Sequence, residues 1–426
     1  MKSALSLMMG FLLEAILPFV RTIALARLLP QEQFGIALTV LITITIVEMC
    51  CDLGLPQSAV RGSSNVSSRP FFGTLHTIAF VRAAVMIGLI WIVLSVQRKT
   101  LDNPFGADVF YLAVMILGLR AFENLSLKQH TLQYSFWRET VLISGSQIIW
   151  TIVTIASAMT SGRYTCMLYG MLAAAAWLVV ISNYFAPHPW ELAWNSETAR
   201  TALRFGAPLM PNGAAAAVSI SDRLVVGNFL GTAQVALYGS TVSLVTTPRS
   251  ILWRFSTSVL VPHFVNLGND TQKEREFHAL WLLSLSVLVS IYAIGLIMFG
   301  REIIGLTLGA AYVPSKALMS LIAVNVFIKF MMLAPVPVAF ARGQSDLAFI
   351  GALVAAAAIV PACLLLLVGV RSLEFFVLAL NIAEGIGMVW YLNHTTRAHG
   401  LEPRISLSAV IGPLVGLGAF ATWTRA

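Results

Sequence analysis

Charged side chains occur inside apolar segments that are long enough to cross a membrane. The chain contains thirteen such segments, and about eleven Asp, Glu, Lys and Arg residues lie within them. A charged residue at the centre of a helix in lipid costs roughly 2.5–3.5 kcal/mol even on the lenient insertion scale, so the set would cost on the order of 30 kcal/mol if it faced hydrocarbon. The residues therefore have to enclose a polar interior.

Five of these residues are cations, and a cation inside a membrane span can bind an anion. They are Arg21, Arg82, Arg120, Arg223 and Lys329, on segments 1, 3, 4, 7 and 10. Arg offers bidentate N–H donors to phosphate oxygens and stays charged at low dielectric. Arg82 and Lys329 lie deepest and have no acid within four residues of sequence. We therefore predict that these two line the polar interior.

The other three cations have structural alternatives. Arg120 precedes Glu123 by three residues near a helix end, which permits an intrahelical ion pair that reaches the interface. Arg21 lies one turn from the outer end of its segment, where it could anchor to lipid headgroups. Arg223 adjoins Asp222, but neighbours on a helix point about 100° apart, so at least one of them needs another partner.

Carboxyl groups inside the segments raise the question of ion coupling, because a desolvated carboxyl can hold a proton. The acids are Glu14, Glu48, Asp52, Asp222 and Glu384. Glu48 and Asp52 are one turn apart near a helix end, and we expect them to pair structurally with arginines. Glu14, Glu384 and Asp222 are the candidates for coupling to a proton or sodium gradient. The alternative is that they neutralise cations, as Glu14 could do for Arg21 two turns along the same face.

Composition identifies the elements that position these residues. Hydrophobic residues make up 58% of the chain, charged residues make up 11%, and the mean hydropathy is +0.82, which excludes a soluble domain. Apolar runs of about 20 residues recur along the chain, the length that a helix needs to cross a hydrocarbon core of about 30 Å. They are too long and too weakly alternating for a transmembrane barrel. We predict an all-α polytopic membrane protein.

Charge and cysteine content exclude several classes of ligand. A net charge of +8 would suggest nucleic acid in a soluble protein. Here the basic residues lie in short loops, where the positive-inside rule accounts for them, so we expect no nucleic-acid partner. The four cysteines, Cys50, Cys51, Cys166 and Cys363, lie in or beside apolar segments at no metal-ligand spacing. We expect inert core residues, no metal site and no cofactor.

The N-terminal segment is interpreted as the first span. A cleaved signal peptide ending at Ala24-Leu25-Ala26 is the alternative, but Glu14, Pro18 and Arg21 interrupt the unbroken apolar region that a signal peptide needs. Placing the N-terminus inside puts fourteen Lys and Arg residues on the cytoplasmic side and eight on the other. The positive-inside rule then favours a cytoplasmic N-terminus.

The predicted spans fall into two sets of six and one addition. They lie at 3–26, 36–60, 73–96, 106–127, 138–160, 165–186, 206–230, 233–261, 277–299, 316–340, 347–370, 373–394 and 405–424. The long polar connection follows the sixth span. The predicted organisation is an N-terminal six-helix lobe (1–186), a cytoplasmic inter-lobe linker (187–205), a C-terminal six-helix lobe (206–396) and an additional C-terminal transmembrane helix (397–426).

The two halves resemble each other after their first helices. The chain reads RLLPQEQFGIA from Arg27 to Ala37 and NFLGTAQVALY from Asn228 to Tyr238. Aligned without gaps, the two stretches pair Leu with Leu and Gln with Gln. A shared loop at the same place in each half predicts duplicated bundles related by a pseudo-two-fold axis along the membrane normal, as transporters are often built.

Several motifs resemble one family in their order and spacing. They are RLLPQEQFG, DLGLPQSAVR, FGAPLMPNG leading to SDRLVVGNFLG and ALYGS, TTPRSILWRFSTSVLVPHF, and LGAAYVPSKAL. Over residues from about 10 to about 345, the chain resembles polysaccharide transport proteins of the Wzx oligosaccharide-flippase type. These belong to the multidrug/oligosaccharidyl-lipid/polysaccharide exporter (MOP) superfamily. The chain departs from the family at Pro30-Gln31, where Gly-Pro is more frequent, and at Ala236, where Gly is common.

The resemblance implies a MATE-like fold and a flippase. Its substrate would be an undecaprenyl-diphosphate-linked oligosaccharide, a repeat unit of O-antigen, capsule or exopolysaccharide, moved to the periplasmic leaflet of a bacterial inner membrane by alternating access. A polysaccharide polymerase and a chain-length regulator are the further partners that it implies. The five cations fit such a cargo, because its diphosphate needs basic groups.

Two other functions would require sequence features that this chain does not match. A MATE-like drug/cation antiporter would need an acidic or aromatic cavity, whereas five basic residues within spans favour an anion. A membrane polysaccharide polymerase or ligase would be expected to carry a large external loop with reactive side chains, and the chain has short external loops and no catalytic constellation. A phosphate-binding GxxxxGK loop is also missing, so we expect neither an enzyme nor an ATP-driven pump.

Overall fold

The computed structural model describes residues 2–63, 69–100, 106–132, 137–207, 209–267, 271–398 and 403–423. All regular secondary structure in these ranges is helical, which confirms the predicted all-α class. The chain divides into two compact units, Met1–Ala236 and Leu237–Ala426. These units do not test the predicted lobes. The N-terminal lobe is predicted to end at residue 186 and the C-terminal lobe to begin at residue 206, and both stay a prediction.

Within the described ranges, the first unit contains eleven α-helices, one 3₁₀ turn and the start of a twelfth α-helix. They are α1 (Lys2–Leu28), α2 (Gln31–Cys50), α3 (Leu55–Ser63), α4 (Arg69–Thr100), α5 (Ala107–Arg120), a 3₁₀ turn (Leu125–Lys128), α6 (Gln129–Leu132), α7 (Trp137–Ser161), α8 (Thr165–Phe185), α9 (Ser196–Gly206), α10 (Leu209–Ser219), α11 (Asp222–Leu230) and α12 (Thr232–Phe255).

The second unit contains the rest of α12 and the helices that follow it. They are a π-helical turn (Ser256–Leu260), α13 (Val261–Leu267), α14 (Thr271–Thr307), a 3₁₀ turn (Ala310–Tyr312), α15 (Lys316–Met331), α16 (Val336–Ala341), α17 (Ser345–Ala357), α18 (Ile359–Leu367), α19 (Leu373–Ala398) and α20 (Pro403–Trp423).

Eight helical segments in the described ranges are long and apolar enough to cross a membrane. They lie on α2, α4, α7, α8, α14, α15–α16, α17–α18 and α19. The other predicted spans coincide with α1, α5, α10–α11, α12 with its π-turn, and α20. The protein is therefore a multi-pass membrane protein, as the apolar runs predict.

Glycine and proline decide where the apolar runs break. The prediction of one helix over 36–60 is wrong, because α2 ends at Cys50 and Gly54 adopts φ +56, the left-handed conformation that glycine enters at little cost. Pro56 then stands in the first turn of α3, where its missing N–H costs nothing. The predicted span 316–340 is also broken, since α15 ends at Met331 and Pro335 stands at the N-cap of α16.

The polar connection after the sixth span packs against α4 within the first unit. His76 of α4 holds it, with its Nδ1 3.2 Å from the carbonyl oxygen of Glu191 and its Nε2 accepting the N–H of Leu125 at 3.1 Å. Thr77 donates to the carbonyl oxygen of Ala193 at 2.8 Å. Because one ring nitrogen accepts and the other faces an acceptor, His76 is held as one neutral tautomer. These two bonds connect α4 to the polar connection and to the 3₁₀ turn after α5.

A bidentate ion pair fixes the start of α14 in the second unit. Arg342, which follows α16, donates from Nε to Oε1 of Glu274 at 3.0 Å and from Nη2 to Oε2 at 2.6 Å. The Glu274 side chain is 8% exposed and the Arg342 side chain 31%. Two parallel N–H···O bonds make this the strong form of a carboxylate–guanidinium pair.

We expect Arg342→Ala to lower the free energy of unfolding by about 3 kcal/mol, because it leaves the Glu274 carboxylate buried without its guanidinium. The value sits at the low end of the range for broken buried pairs since Arg342 is partly exposed. Unfolding by SDS titration in bicelles measures it. The double variant Glu274→Gln/Arg342→Ala should recover most of the loss, and equal loss in single and double variants would show that the ion pair does not stabilise this unit.

Candidate functional site: charge clusters in the membrane spans

In the second unit, five polar side chains from three helices meet. We call this set the Lys329–Glu384 cluster, and its members are Arg249 of α12, Asn325 and Lys329 of α15, and Asn381 and Glu384 of α19. Lys329 Nζ lies 3.6 Å from Glu384 Oε1. Asn325 Nδ2 donates to Glu384 Oε2 at 2.7 Å and to Asn381 Oδ1 at 2.8 Å. Two of the three helices thus share one buried hydrogen-bond network.

Helix geometry explains why these side chains converge. Asn325 and Lys329 are four residues apart on α15, and Asn381 and Glu384 are three apart on α19, so each pair occupies one helix face. Glu384 is 2% exposed, and its carboxylate is stabilised by one amide and one ammonium. Asn381 completes its own bonding by donating Nδ2 to the carbonyl oxygen of Leu321 at 2.8 Å.

Arg249 is a member of this cluster that the sequence did not suggest. Its Nε donates to the carbonyl oxygen of Lys329 at 3.2 Å, and it lies within Coulombic range of Glu384. The cluster therefore holds two cations and one acid. Two features of the sequence could have indicated this cluster. Arg249 lies inside a predicted span, directly after Pro248, and Asn325 and Asn381 are amide residues in otherwise apolar segments.

In the first unit, two predicted cations pair with acids at the end of α2. Arg120 Nη1 donates to Glu48 Oε1, and Arg82 Nη1 lies 3.8 Å from Asp52 Oδ1. Structural pairing of both acids was expected. The partner of Arg120 comes from a different helix, whereas the sequence offered the intrahelical Glu123. For Arg82, the acid that is missing from its local sequence is supplied by the loop after α2.

Arg21 is buried against α7. It is 5% exposed, and its guanidinium carbon stands 3.7 Å from the ring centroid of Trp150. Its Nη1 has no hydrogen-bond partner within the described ranges, and the same holds for the buried side-chain oxygens of Ser144 and Thr154. The interpretation of Arg21 as a headgroup anchor is wrong, because an anchor would be exposed. A buried cation with unused N–H donors can bind an anion.

The remaining predicted residues lie on α1 and α11. Asp222 is 3% exposed, and its Oδ1 accepts the backbone N–H of Arg223 at 2.9 Å. The Nε of Arg223 is buried and has no hydrogen-bond partner among the residues described. Glu14 is half-buried on α1, two turns before Arg21.

The ion pairs separate the cations into two kinds. Arg82, Arg120 and Lys329 each face a carboxylate. Arg21, Arg223 and Arg249 form no ion pair within the described part of the chain. They therefore carry the surplus positive charge of the spans. No group of three or more His, Cys, Asp or Glu residues suited to a metal ion occurs in the ranges that the structure covers.

Comparison with known proteins adds family and fold. Residues 24–317 match the family described as Polysaccharide biosynthesis protein, which is more than half of the 426 residues. No curated protein sequence matches the chain. The lipid II flippase MurJ in its inward closed conformation is similar to this structure with a TM-score of 0.69 at 14% identity, over 98% of this chain and 91% of that chain.

Two further solved structures share the fold. A multidrug resistance MATE family transporter of the MOP superfamily, in its inward-facing conformation, gives a TM-score of 0.61 at 12% identity, over 89% of this chain and 94% of that one. A MOP superfamily transporter from Pyrococcus furiosus gives 0.58 at 12% identity, over 93% and 94%. The chain thus belongs to the polysaccharide biosynthesis protein family and has the fold of MOP superfamily transporters, which confirms the resemblance of its motifs.

Proposed function

We propose that this protein moves an undecaprenyl-diphosphate-linked oligosaccharide from the cytoplasmic to the periplasmic leaflet of a bacterial inner membrane. Its family and its fold support a transporter in polysaccharide biosynthesis. The observation that carries the proposal is a set of guanidinium groups inside the spans that form no ion pair in the described ranges. They are Arg21, Arg223 and Arg249, of which Arg249 lies within Coulombic range of Glu384. Such groups are costly unless a ligand or water satisfies them, and a diphosphate is a matching ligand.

Arg21 is prepared for this role by its contact with Trp150. Stacking on the ring occupies one face of the guanidinium and leaves the N–H groups at its edge available. An Arg held in this way loses little rotamer freedom when an oxyanion binds. Arg249 is positioned differently, by donating its Nε to a backbone carbonyl, which leaves its terminal nitrogens to serve as donors.

The paired cations Arg82, Arg120 and Lys329 have a second role in the proposal. Each carboxylate keeps its cation charged while no cargo is bound, which avoids an isolated buried charge. A phosphate that competes for the cation would open the pair. Cargo binding would then change which helices are held together, since Arg120 and Lys329 each pair with an acid on another helix. This supplies a physical route from binding to alternating access.

Ion coupling is assigned to Glu14, Glu384 or Asp222 in the proposal. Glu384 is deeply buried and bridges α15 and α19, so a change in its charge would alter their packing. A proton or sodium ion arriving from the gradient side would replace Lys329 as its counter-charge. The N-terminus is placed in the cytoplasm, and a polysaccharide polymerase and chain-length regulator are the proposed partners.

A MATE-like drug/cation antiporter is the second candidate, favoured by the fold it shares with MATE transporters. Its requirement for an acid that faces the cargo is not met by Glu48, Asp52 or Glu384, since each of these carboxylates already faces a cation. Cargo with negative charge therefore fits the spans better than a cationic drug.

We expect Arg21→Gln and Arg249→Gln each to weaken binding of the lipid-linked oligosaccharide about 10- to 100-fold, the value of one hydrogen bond to a charged group at 1.5–3 kcal/mol. The measurement is translocation of a labelled lipid-linked oligosaccharide in proteoliposomes, with binding measured separately. Arg301→Gln is the matched control for Arg249, because Arg301 also donates its Nε to a carbonyl, that of Pro314 at 3.0 Å, near the end of α14.

Three outcomes would count against the proposal. Undiminished translocation by both variants would remove the assignment of the cations. Equal loss in the Arg301 control would show that the effect is structural. Gradient-driven efflux of a cationic dye, with no movement of the oligosaccharide, would favour the antiporter.

A further inference from the structure

A cavity of about 570 Å³ lies inside the second unit, between α15, α19 and α20. Its wall includes Leu321 and Ile328 from α15, Leu378 and Val389 from α19, and Leu414 and Gly418 from α20. Three helices of the second unit line it, and apolar side chains make up most of its surface. A membrane-embedded apolar cavity left empty loses packing energy along its whole lining.

The polar groups in the lining need no ligand. Ser320 Oγ donates to the carbonyl oxygen of Lys316 at 2.9 Å. Asn381 uses its oxygen to accept from Asn325 and its nitrogen to donate to the carbonyl oxygen of Leu321. Water or a polar ligand would therefore find few partners here. The chemistry of the lining selects a hydrocarbon.

The rim shows where such a hydrocarbon comes from. Ile382 and Ile386, which line the cavity on α19, are 57% and 67% exposed. Exposed isoleucines on a membrane-spanning helix face lipid, so the cavity opens onto the bilayer and not onto water. The exposed Val415 of α20 continues the same apolar surface.

Length distinguishes between kinds of hydrocarbon chain. Along α19 the lining runs from Leu378 to Val389, a distance of about 16 Å at the helical rise of about 1.5 Å per residue. The hydrocarbon core of a bilayer is about 30 Å thick, so the cavity extends over about one leaflet. One fatty-acyl chain fills that depth, whereas a polyprenyl tail is far longer. We propose that the cavity binds one acyl chain of a bilayer phospholipid.

This site is connected to the Lys329–Glu384 cluster through Asn381. The Asn381 side chain forms part of the cavity wall and also accepts from Asn325, which holds Glu384. An acyl chain in the cavity packs against this amide and favours the rotamer that makes both bonds. Membrane lipid thereby stabilises the charged pair without touching it. The inference concerns lipid binding alone and does not depend on the proposed cargo.

The test is photolabelling of the full chain in nanodiscs with a phospholipid that carries a diazirine halfway along one acyl chain. We expect labelled peptides from α15, α19 and α20. Gly418→Leu should abolish that labelling, because Gly418 lines the cavity and a Cβ there meets no atom within 4 Å. Gly412→Leu is the control, since it adds the same side chain to the same helix in open space outside the lining.

Leu414→Phe tests the site from a second position and should also reduce labelling. Unchanged labelling in Gly418→Leu and Leu414→Phe would overturn the proposal. So would equal loss in Gly412→Leu, which would indicate a general effect of α20. Labelling of these peptides by a diazirine polyprenyl diphosphate, but not by the phospholipid, would identify a site for the cargo tail and would equally overturn it.

Discussion

Replacing Glu384 by Gln is expected to destabilise the protein by about 3–5 kcal/mol, the cost of leaving one partner of a buried ion pair uncompensated. Glu384 is 2% exposed, and the Lys329 side chain that faces it is 19% exposed. Gln keeps the size of the side chain and the acceptor for Asn325 but removes the negative charge. The Lys329 ammonium is then left in the spans without a carboxylate, with Arg249 adding a second positive charge close by.

The double variant Lys329→Met/Glu384→Gln separates charge from shape. Removing both charges with side chains of similar volume is expected to restore most of the stability, because buried ion pairs often contribute little over apolar packing of the same size. The free energy of unfolding by SDS titration in bicelles measures both variants. Additive losses in the single and double variants would show that Lys329 and Glu384 do not interact.

Transport by the same variants decides between a structural and a coupling role for Glu384. A coupling residue would lose gradient-driven translocation in Glu384→Gln while the lipid-linked oligosaccharide still binds. A structural partner would lose stability, and the double variant would recover translocation together with the fold. Translocation by wild type that survives collapse of the proton and sodium gradients would leave no coupling role for Glu384 or Glu14, and product consumption outside would then drive a passive flippase.

The second large effect is expected at a set of close backbone contacts that we call the glycine seam, formed by Gly35, Gly206 and Gly213. A Cβ at Gly35 would overlap the carbonyl oxygen of Thr232, at the start of α12. At Gly206 and Gly213 it would overlap the carbonyl oxygens of Leu53 and Met49, at and beyond the end of α2. All of these residues belong to the first unit.

We expect Gly35→Ala to lower the free energy of unfolding by about 3 kcal/mol, the upper end of the usual cost of overpacking. The obstructing atom is a backbone oxygen, which cannot rotate away as a side chain can. Gln31 of α2 also donates its Nε2 to the carbonyl oxygen of Ala233 at 3.2 Å, so displacing Thr232 disturbs a second contact. SDS titration, with expression level as a second readout, measures the effect.

The control for the seam is Gly295→Ala in α14. A Cβ there meets nothing within 4 Å, so the change should be neutral or stabilise the helix by about 0.5–1 kcal/mol. A Gly35→Ala variant that unfolds at the same SDS fraction as wild type would mean that α2 and the start of α12 are not held in contact. Gly213→Ala tests the other end of α2 in the same way.

The seam also gives the sequence repeat a structural meaning. The stretches RLLPQEQFGIA and NFLGTAQVALY were aligned as equivalent loops of two halves, and the structure brings them into contact through Gln31, Gly35, Thr232 and Ala233. Aligning the sequence with itself identifies the similarity of the two stretches but not the contact between them. The contact depends on two backbones approaching closely enough that only glycine fits.

The sequence by itself determined the helical class and the positions of the apolar segments, but not the breaks within them. Hydropathy is a local property, and each span in lipid must satisfy the hydrogen bonds of its backbone within itself. Runs of about 20 apolar residues therefore predict helices directly. Gly54 and Pro335 break helices through their local backbone chemistry, although the predicted spans 36–60 and 316–340 run across them. The sequence also shows the charged residues inside the spans, and their presence requires a polar interior.

The tertiary structure alone decided which charges meet. Arg120 pairs with Glu48 across 72 residues of sequence, and Asn325 bonds Glu384 across 59. In a soluble helix, an apolar stripe marks the face that packs inward. In a membrane helix the lipid-facing and protein-facing sides are both apolar, so hydropathy does not orient α15 and α19, and only the few polar residues on one face of each helix do. Pairing therefore depends on helix rotation, which packing fixes and hydropathy does not.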